Sequence, residues 1–164
     1  MRLFFAAWPP AQTAAALHAW GEGLEGRVVA RENIHLTLAF LGEADPAKAV
    51  AAAGRVRGAR HELPIEEARF WKKNRIVWAG PRETPASLAA LVTALHLELS
   101  RAGFVLEQRP FAAHVTLLRK AREPATLPAL PRVAWPVHEI VLVCSRISSR
   151  GSTYGPVERF PLSE

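Results

Sequence analysis

A single cysteine, Cys144, stands among 164 residues. That excludes an internal disulfide and a cysteine-built zinc site, and it makes a reducing, cytoplasmic location the expectation. No uncharged apolar stretch approaches the roughly 18 residues that a bilayer span requires, so no membrane partner is expected. The opening MRLFFAAWPPAQTAAALHAWGEG has one basic residue, Arg2, and is interrupted by Trp8-Pro9-Pro10. It reads as a strand, a proline turn and a helix rather than a secretory leader. There is no block of like charge, the basic residues being spread along the chain. What the chain does have is apolar residues, 49% of the total. A chain of this length and composition is expected to fold as one well-buried domain over residues 1–164 and not to be disordered. Its net charge of +6 and pI near 10.4 favour polyanionic partners such as RNA.

Two tripeptides stand out, His35-Leu36-Thr37 in NIHLTLAFLG and His114-Val115-Thr116 in AAHVTLLR. Both apolar runs read as strands, and side chains two apart in a strand share a face. Each tripeptide therefore sets an imidazole beside a hydroxyl. Two copies suggest two half-sites facing one substrate. One neutral and one protonated imidazole can act as general base and general acid near pH 7. Such a pair suits in-line displacement at a phosphodiester and calls for no metal and no other cofactor. His18, His61, His96 and His138 lack the matching Thr and are read as surface or helix-face residues.

The remaining pattern predicts strands at 2–8 and 27–31, a helix at 11–25, the first His strand at 33–41, and a helix capped by Asp45 with Pro46 in its first turn. A strand pair at 63–70 and 74–79 turns near Trp71-Lys72-Lys73. A long helix, PASLAALVTALHLELSRAG, is capped by Thr84 or Ser87 and stopped by Gly103. A return strand around 104–109, the second His strand at 111–119 and a proline-rich connection over 121–136 follow. A strand at 137–147, a turn from Ser148 to Gly155 and a last strand at 156–162 close the chain. Helices separated by several strands indicate α/β or α+β, with an approximate duplication whose period is the distance from His35 to His114.

These stretches resemble the 2H phosphoesterase superfamily, named for its paired His-x-Thr motifs. Within it they are similar to the bacterial and archaeal RNA 2′,3′-cyclic phosphodiesterase family, also called 2′-5′ RNA ligase. The resemblance is carried by MRLFFAAWPP, ENIHLTLAFLGE, FAAHVTLLR and VLVCSRISSRGSTYGPVERFPL, which together span nearly the whole chain. It implies a bilobal α+β fold with pseudo-twofold symmetry, two antiparallel sheets with flanking helices around a central cleft. The implied activity is hydrolysis of an RNA 2′,3′-cyclic phosphate to a 2′-phosphomonoester. The implied partners are RNA ends or nucleotides bearing that cyclic phosphate, met by a monomer. Joining or cleaving 2′-5′ linkages in tRNA halves, and RNA-end binding without turnover, are the alternatives.

In that chemistry water attacks phosphorus opposite the leaving 3′-oxygen. The resemblance implies His114 as base and His35 as acid, although the two motifs are nearly equivalent chemically. Thr37 and Thr116 are expected to donate to the non-bridging oxygens. Arg119 offers forked donors that suit phosphate. Five residues after His114, however, strict alternation puts it on the wrong face, so it reaches the cleft only if the strand ends or bulges near Leu118. Phe40 occupies the matching offset after His35. Phe5, Trp8 and Tyr154 are candidates for stacking a base.

Overall fold

The computed structural model describes every residue from Met1 to Glu164. Strand β1 (Arg2–Ala7) is followed by helix α1 (Ala11–Gly21), the two-residue strand β2 (Arg27–Val28) and a 3₁₀ turn at Arg31–Asn33. Strand β3 (Leu36–Glu43), helix α2 (Pro46–Ala53), β4 (His61–Glu62), β5 (Glu67–Trp71) and β6 (Ile76–Gly80) come next. Helix α3 (Ala86–Arg101), β7 (Val115–Arg119), β8 (Pro136–Val137), β9 (Glu139–Ser148) and β10 (Gly151–Pro161) complete the chain. No helix is long and apolar enough to cross a membrane.

Two four-stranded sheets dominate, in the orders β10-β9-β1-β3 and β2-β7-β6-β5, and all their pairings are antiparallel. The two His strands, β3 and β7, lie one in each sheet and approach each other. This is the bilobal α+β arrangement expected. Helix α3 packs against β3, α1 against β7, and α2 against α3 and β10. Leu88, Leu91, Val92, Leu95 and Leu99 form the buried stripe of α3 at the three- and four-residue spacing of one helix face. They join the inner faces of both sheets in one continuous core that includes Phe5, Leu36, Leu38, Leu117 and Leu118.

Several boundaries differ from the sequence expectation, each for a local reason. Helix α1 stops at Gly21, the first of the two glycines near its predicted end. Helix α2 starts as expected, with Asp45 Oδ1 accepting from the Ala47 amide at 3.0 Å, but α3 begins after Pro85 with no side-chain cap, neither Thr84 nor Ser87 serving. The return strand at 104–109 does not form. Phe104 and Leu106 rest against the core while Val105 lies in solvent, so the alternation reflects packing without a partner strand. The turn expected from Ser148 to Gly155 shrinks to Ser149-Arg150, because β10 already starts at Gly151. Gly151 has φ +106°, a conformation that side chains disfavour, and this permits so tight a reversal.

Candidate active site

Both histidines sit just before their strands rather than inside them, β3 starting at Leu36 and β7 at Val115. Their ring orientations are fixed alike. His35 Nδ1–H donates to the Asn33 carbonyl at 2.7 Å, and His114 Nδ1–H donates to the Ala112 carbonyl at 2.9 Å. A carbonyl can only accept, so each Nδ1 carries hydrogen and each Nε2 is left for chemistry. In the neutral ring His35 Nε2 accepts from the Thr37 hydroxyl at 2.9 Å. Once Nε2 is protonated it becomes the donor, and the Thr37 hydrogen is released toward an anion.

After each His-x-Thr the strand bulges. In the β1–β3 pairing Ala6 faces Thr37 and Phe5 faces Ala39, so Leu38 has no partner. In the β6–β7 pairing Trp78 faces Thr116 and Val77 faces Leu118, so Leu117 has none. An extra residue flips the face of everything beyond it. The result is the same burial sequence in both strands: a buried residue, a half-buried Thr, two buried residues, then an exposed one. The exposed one is Phe40 in β3 and Arg119 in β7. The bulge at Leu117 thus removes the obstacle that alternation raised, and Arg119 lines the cleft.

The bulges free a carbonyl each, and both are answered. His96 of α3 donates from Nε2 to the Leu38 carbonyl at 2.9 Å. The Val29 amide, just past β2, donates to the Leu117 carbonyl at 2.9 Å, and His18 Nδ1 donates to the Val29 carbonyl at 2.9 Å. His18 and His96 were expected only as surface or helix-face residues. They hold the backbone around the two motifs, a role that long-range pairing creates and that the sequence pattern does not announce.

The aromatic expectations divide. Phe5 is fully buried and packs on Phe160, ring centres 6.2 Å apart, so it is not available to a base. The face assignment was off by one, and its neighbour Phe4 is the ring against His35, at 5.1 Å. Trp8 stacks on the His35 imidazole itself, 5.0 Å away and 19° from parallel. Tyr154 meets the same imidazole edge-on at 5.3 Å and also lines the cleft. Two further aromatics were missed: Trp71 lies 4.7 Å from the His114 ring and Trp78 lies 6.2 Å from it. Neither stands near the motif in sequence, so only the pairing of β5, β6 and β7 shows them.

Crowding by these rings has an electrostatic consequence at His35. Desolvation disfavours its charged form, and the Asn33 hydrogen bond opposes that only in part. The nearby Arg119 and His114 charges add to the lowering, so its pKa falls from 6.5 to about 4. His35 is therefore neutral in the resting protein at pH 7.

A cavity of about 420 Å³ gathers His35, Thr37, His114, Thr116 and Arg119, with Arg27, Arg150 and Tyr154 around them. Two imidazoles, two hydroxyls and a guanidinium from opposite lobes thus face one space. No group of three or more His, Cys, Asp or Glu side chains is placed to hold a metal ion.

Known proteins are similar to this chain in sequence and in fold. A family model described as LigT like Phosphoesterase matches residues 8–78. A protein of Escherichia coli (strain K12) named RNA 2′,3′-cyclic phosphodiesterase is 38% identical over 172 residues, covering 99% of this chain and 97% of its own. One of the same name from Thermus thermophilus is 32% identical over 191 residues, covering 99% and 90%. The crystal structure of E. coli LigT in apo form superimposes with a TM-score of 0.91 at 36% identity, covering 99% of this chain and 98% of that one. LigT has also been solved with 3′-AMP and with phosphate. With full-length identity and the same fold, the chain belongs to the LigT-like branch of the 2H phosphoesterase family.

Proposed function

We propose that this protein is an RNA 2′,3′-cyclic phosphodiesterase, hydrolysing the cyclic phosphate at an RNA end or on a nucleotide to a 2′-phosphomonoester. The observation that carries the reading is the shared cavity of about 420 Å³, lined by both histidines, both threonines and Arg119. Its relatives' activity and the nucleotide and phosphate complexes of LigT agree with it. The proposal takes residues 1–164 as one domain whose two lobes share the substrate.

The step is a proton relay across phosphorus. One Nε2 removes a proton from water as the oxygen attacks, and the P–O3′ bond breaks on the far side. The other imidazole delivers a proton to the departing 3′-oxygen. Thr37, Thr116 and Arg119 donate to the non-bridging oxygens, where charge builds in the transition state. With His114 as base and His35 as acid, His35 must take up a proton as the phosphate anion binds, because at rest it titrates at about 4. With the roles exchanged, resting His35 is already the competent base. Rim residues such as Arg119, Arg150 and Ser152 are exposed, so water has free access. This favours hydrolysis over 2′-5′ ligation, which needs a second RNA hydroxyl to outcompete the solvent.

The direct test is incubation with a nucleoside 2′,3′-cyclic phosphate in EDTA. Accumulation of the 2′-phosphate supports the metal-independent mechanism. No product from nucleotides or from RNA ends, with salt-dependent RNA binding retained, would leave a binding module instead.

A further inference from the structure

We propose that the cleft contains a second anion subsite, formed by Arg27 and Arg150 next to Arg119, that takes the phosphate on the 5′ side of the reacting nucleotide. The inference rests on the activity proposed above and narrows its substrate class. The preferred substrate becomes an RNA end or nucleotide carrying a second phosphate, rather than a nucleoside cyclic phosphate alone.

The two sheets are not equal at their edges, and the difference lies here. Strand β3 ends its sheet, whereas β7 is flanked by the additional strand β2. That strand places Arg27 directly opposite Arg119. Like charges in directly opposed positions destabilise a strand pair. Six of the seventeen arginines, Arg60, Arg69, Arg101, Arg109, Arg122 and Arg159, have a carboxylate partner. Of the eleven without one, Arg27, Arg119 and Arg150 are the three that line the same cavity as the histidines. The arrangement is unfavourable empty and is relieved by an anion.

The site is also held in shape. A Cβ on Gly151 would lie 2.8 Å from Arg27 Nη2, so the bare backbone of the hairpin turn makes room for the guanidinium. Asn33 Nδ2 donates to the Ser152 carbonyl at 3.0 Å, tying that hairpin to the wall that carries His35. The Val29 and His18 bonds already described fix β2 from the other side. Guanidinium groups suit phosphate oxygens, and the backbone segments that carry Arg27 and Arg150 are already held in place. One singly charged cyclic phosphate does not need three of them. Arg119 lies on the histidine strand, whereas Arg27 is one strand further out and Arg150 sits on the hairpin tip. A substrate reaching from the histidines to that end of the cleft brings its next phosphate to them.

The experiment compares a nucleoside 2′,3′-cyclic phosphate, the same compound bearing a 5′-phosphate, and a dinucleotide with a 2′,3′-cyclic end. Both two-phosphate compounds should show kcat/KM at least about tenfold higher, chiefly through KM, as expected for new charged hydrogen bonds. In the double variant Arg27→Gln/Arg150→Gln that ratio should shrink toward one. The double lysine variant should restore part of it, and KM for the two-phosphate compounds should depend less steeply on salt after the glutamine changes. Equal kcat/KM for all three compounds, or a preference that survives the double glutamine change, overturns the subsite. So does a gain seen only with the dinucleotide, which would belong to the second base. Turnover of none of the three would instead sink the proposed activity, and the subsite with it.

Discussion

The two half-sites share a backbone device and little else. Each has a His whose Nδ1 is held by the carbonyl two residues back, a Thr on the same face, and a bulge immediately after it. Around that shared core the surroundings diverge. His35 is enclosed by Phe4, Trp8 and Tyr154 and has Phe40 at the position that Arg119 fills beside His114. Phe40 lies beneath Arg2 instead, at 5.2 Å. His114 has two tryptophans beside it, and its sheet carries the paired positions Arg119 and Arg27. Three aromatic rings close on one imidazole, and two arginines stand in the sheet of the other. Chemically equivalent motifs thus sit in different surroundings, and burial lowers the proton affinity of His35.

The strongest way to break this comparison is to remove the imidazoles one at a time. His35→Ala and His114→Ala should each lower kcat by about 10²–10⁴-fold, the usual scale for one proton-transfer group, with circular dichroism unchanged. The difference between them should then appear with an activated leaving group such as p-nitrophenolate. A departing group that needs no proton spares the variant lacking the acid and not the one lacking the base. Rescue of His35→Ala assigns His35 as acid. Rescue of His114→Ala exchanges the roles. Equal loss in both, unrelieved, contradicts the division of labour.

Next in size are the phosphate donors. Thr37→Val and Thr116→Val should each cost about 10²-fold in kcat, comparable to removing one oxyanion donor. Arg119→Ala should cost at least as much, whereas Phe40→Ala, its structural counterpart, should leave kcat within about twofold. That pair measures how far the two halves differ in charge handling. A still smaller effect belongs to the bulge supports. His96→Ala leaves the Leu38 carbonyl without its donor and should cost about 1–3 kcal/mol of stability, the range for a buried unsatisfied group, read by denaturant unfolding.

The paired motifs and the α+β class were legible because strand periodicity and the His-x-Thr spacing are local. What alternation could not decide was Arg119, since a one-residue bulge at Leu117 reverses the face and leaves no local mark in TLLRK. The same limit misplaced Phe5. In an apolar run such as RLFFAA either phenylalanine can face the core, and only the pairing of β1 with β3 and β9 turns Phe4 toward His35. Trp71, Trp78, His18 and His96 were beyond reach for a related reason. Their partners lie on other elements, so no spacing along the chain encodes the contact.

The smallest expected effect tests the apolar character of the first half directly. Burial holds His35 neutral, at about 4 against 6.5 for the free side chain. As pH falls through that interval the unfolded chain takes up a proton that the folded protein resists. The stabilisation due to this site is therefore complete above about pH 6.5 and is lost progressively as pH approaches 4. A His35→Gln variant, which cannot titrate, should show a flatter stability profile across that window than the parent. Trp8→Ala opens the stacked face of the imidazole to water and should move its titration upward, toward 6.5, in an NMR pH series. Arg119→Ala, removing a smaller contribution, should move it in the same direction by less. If Trp8→Ala leaves the titration in place while Arg119→Ala raises it, charge from Arg119 governs His35, and the aromatic rings packed on its imidazole are not the cause.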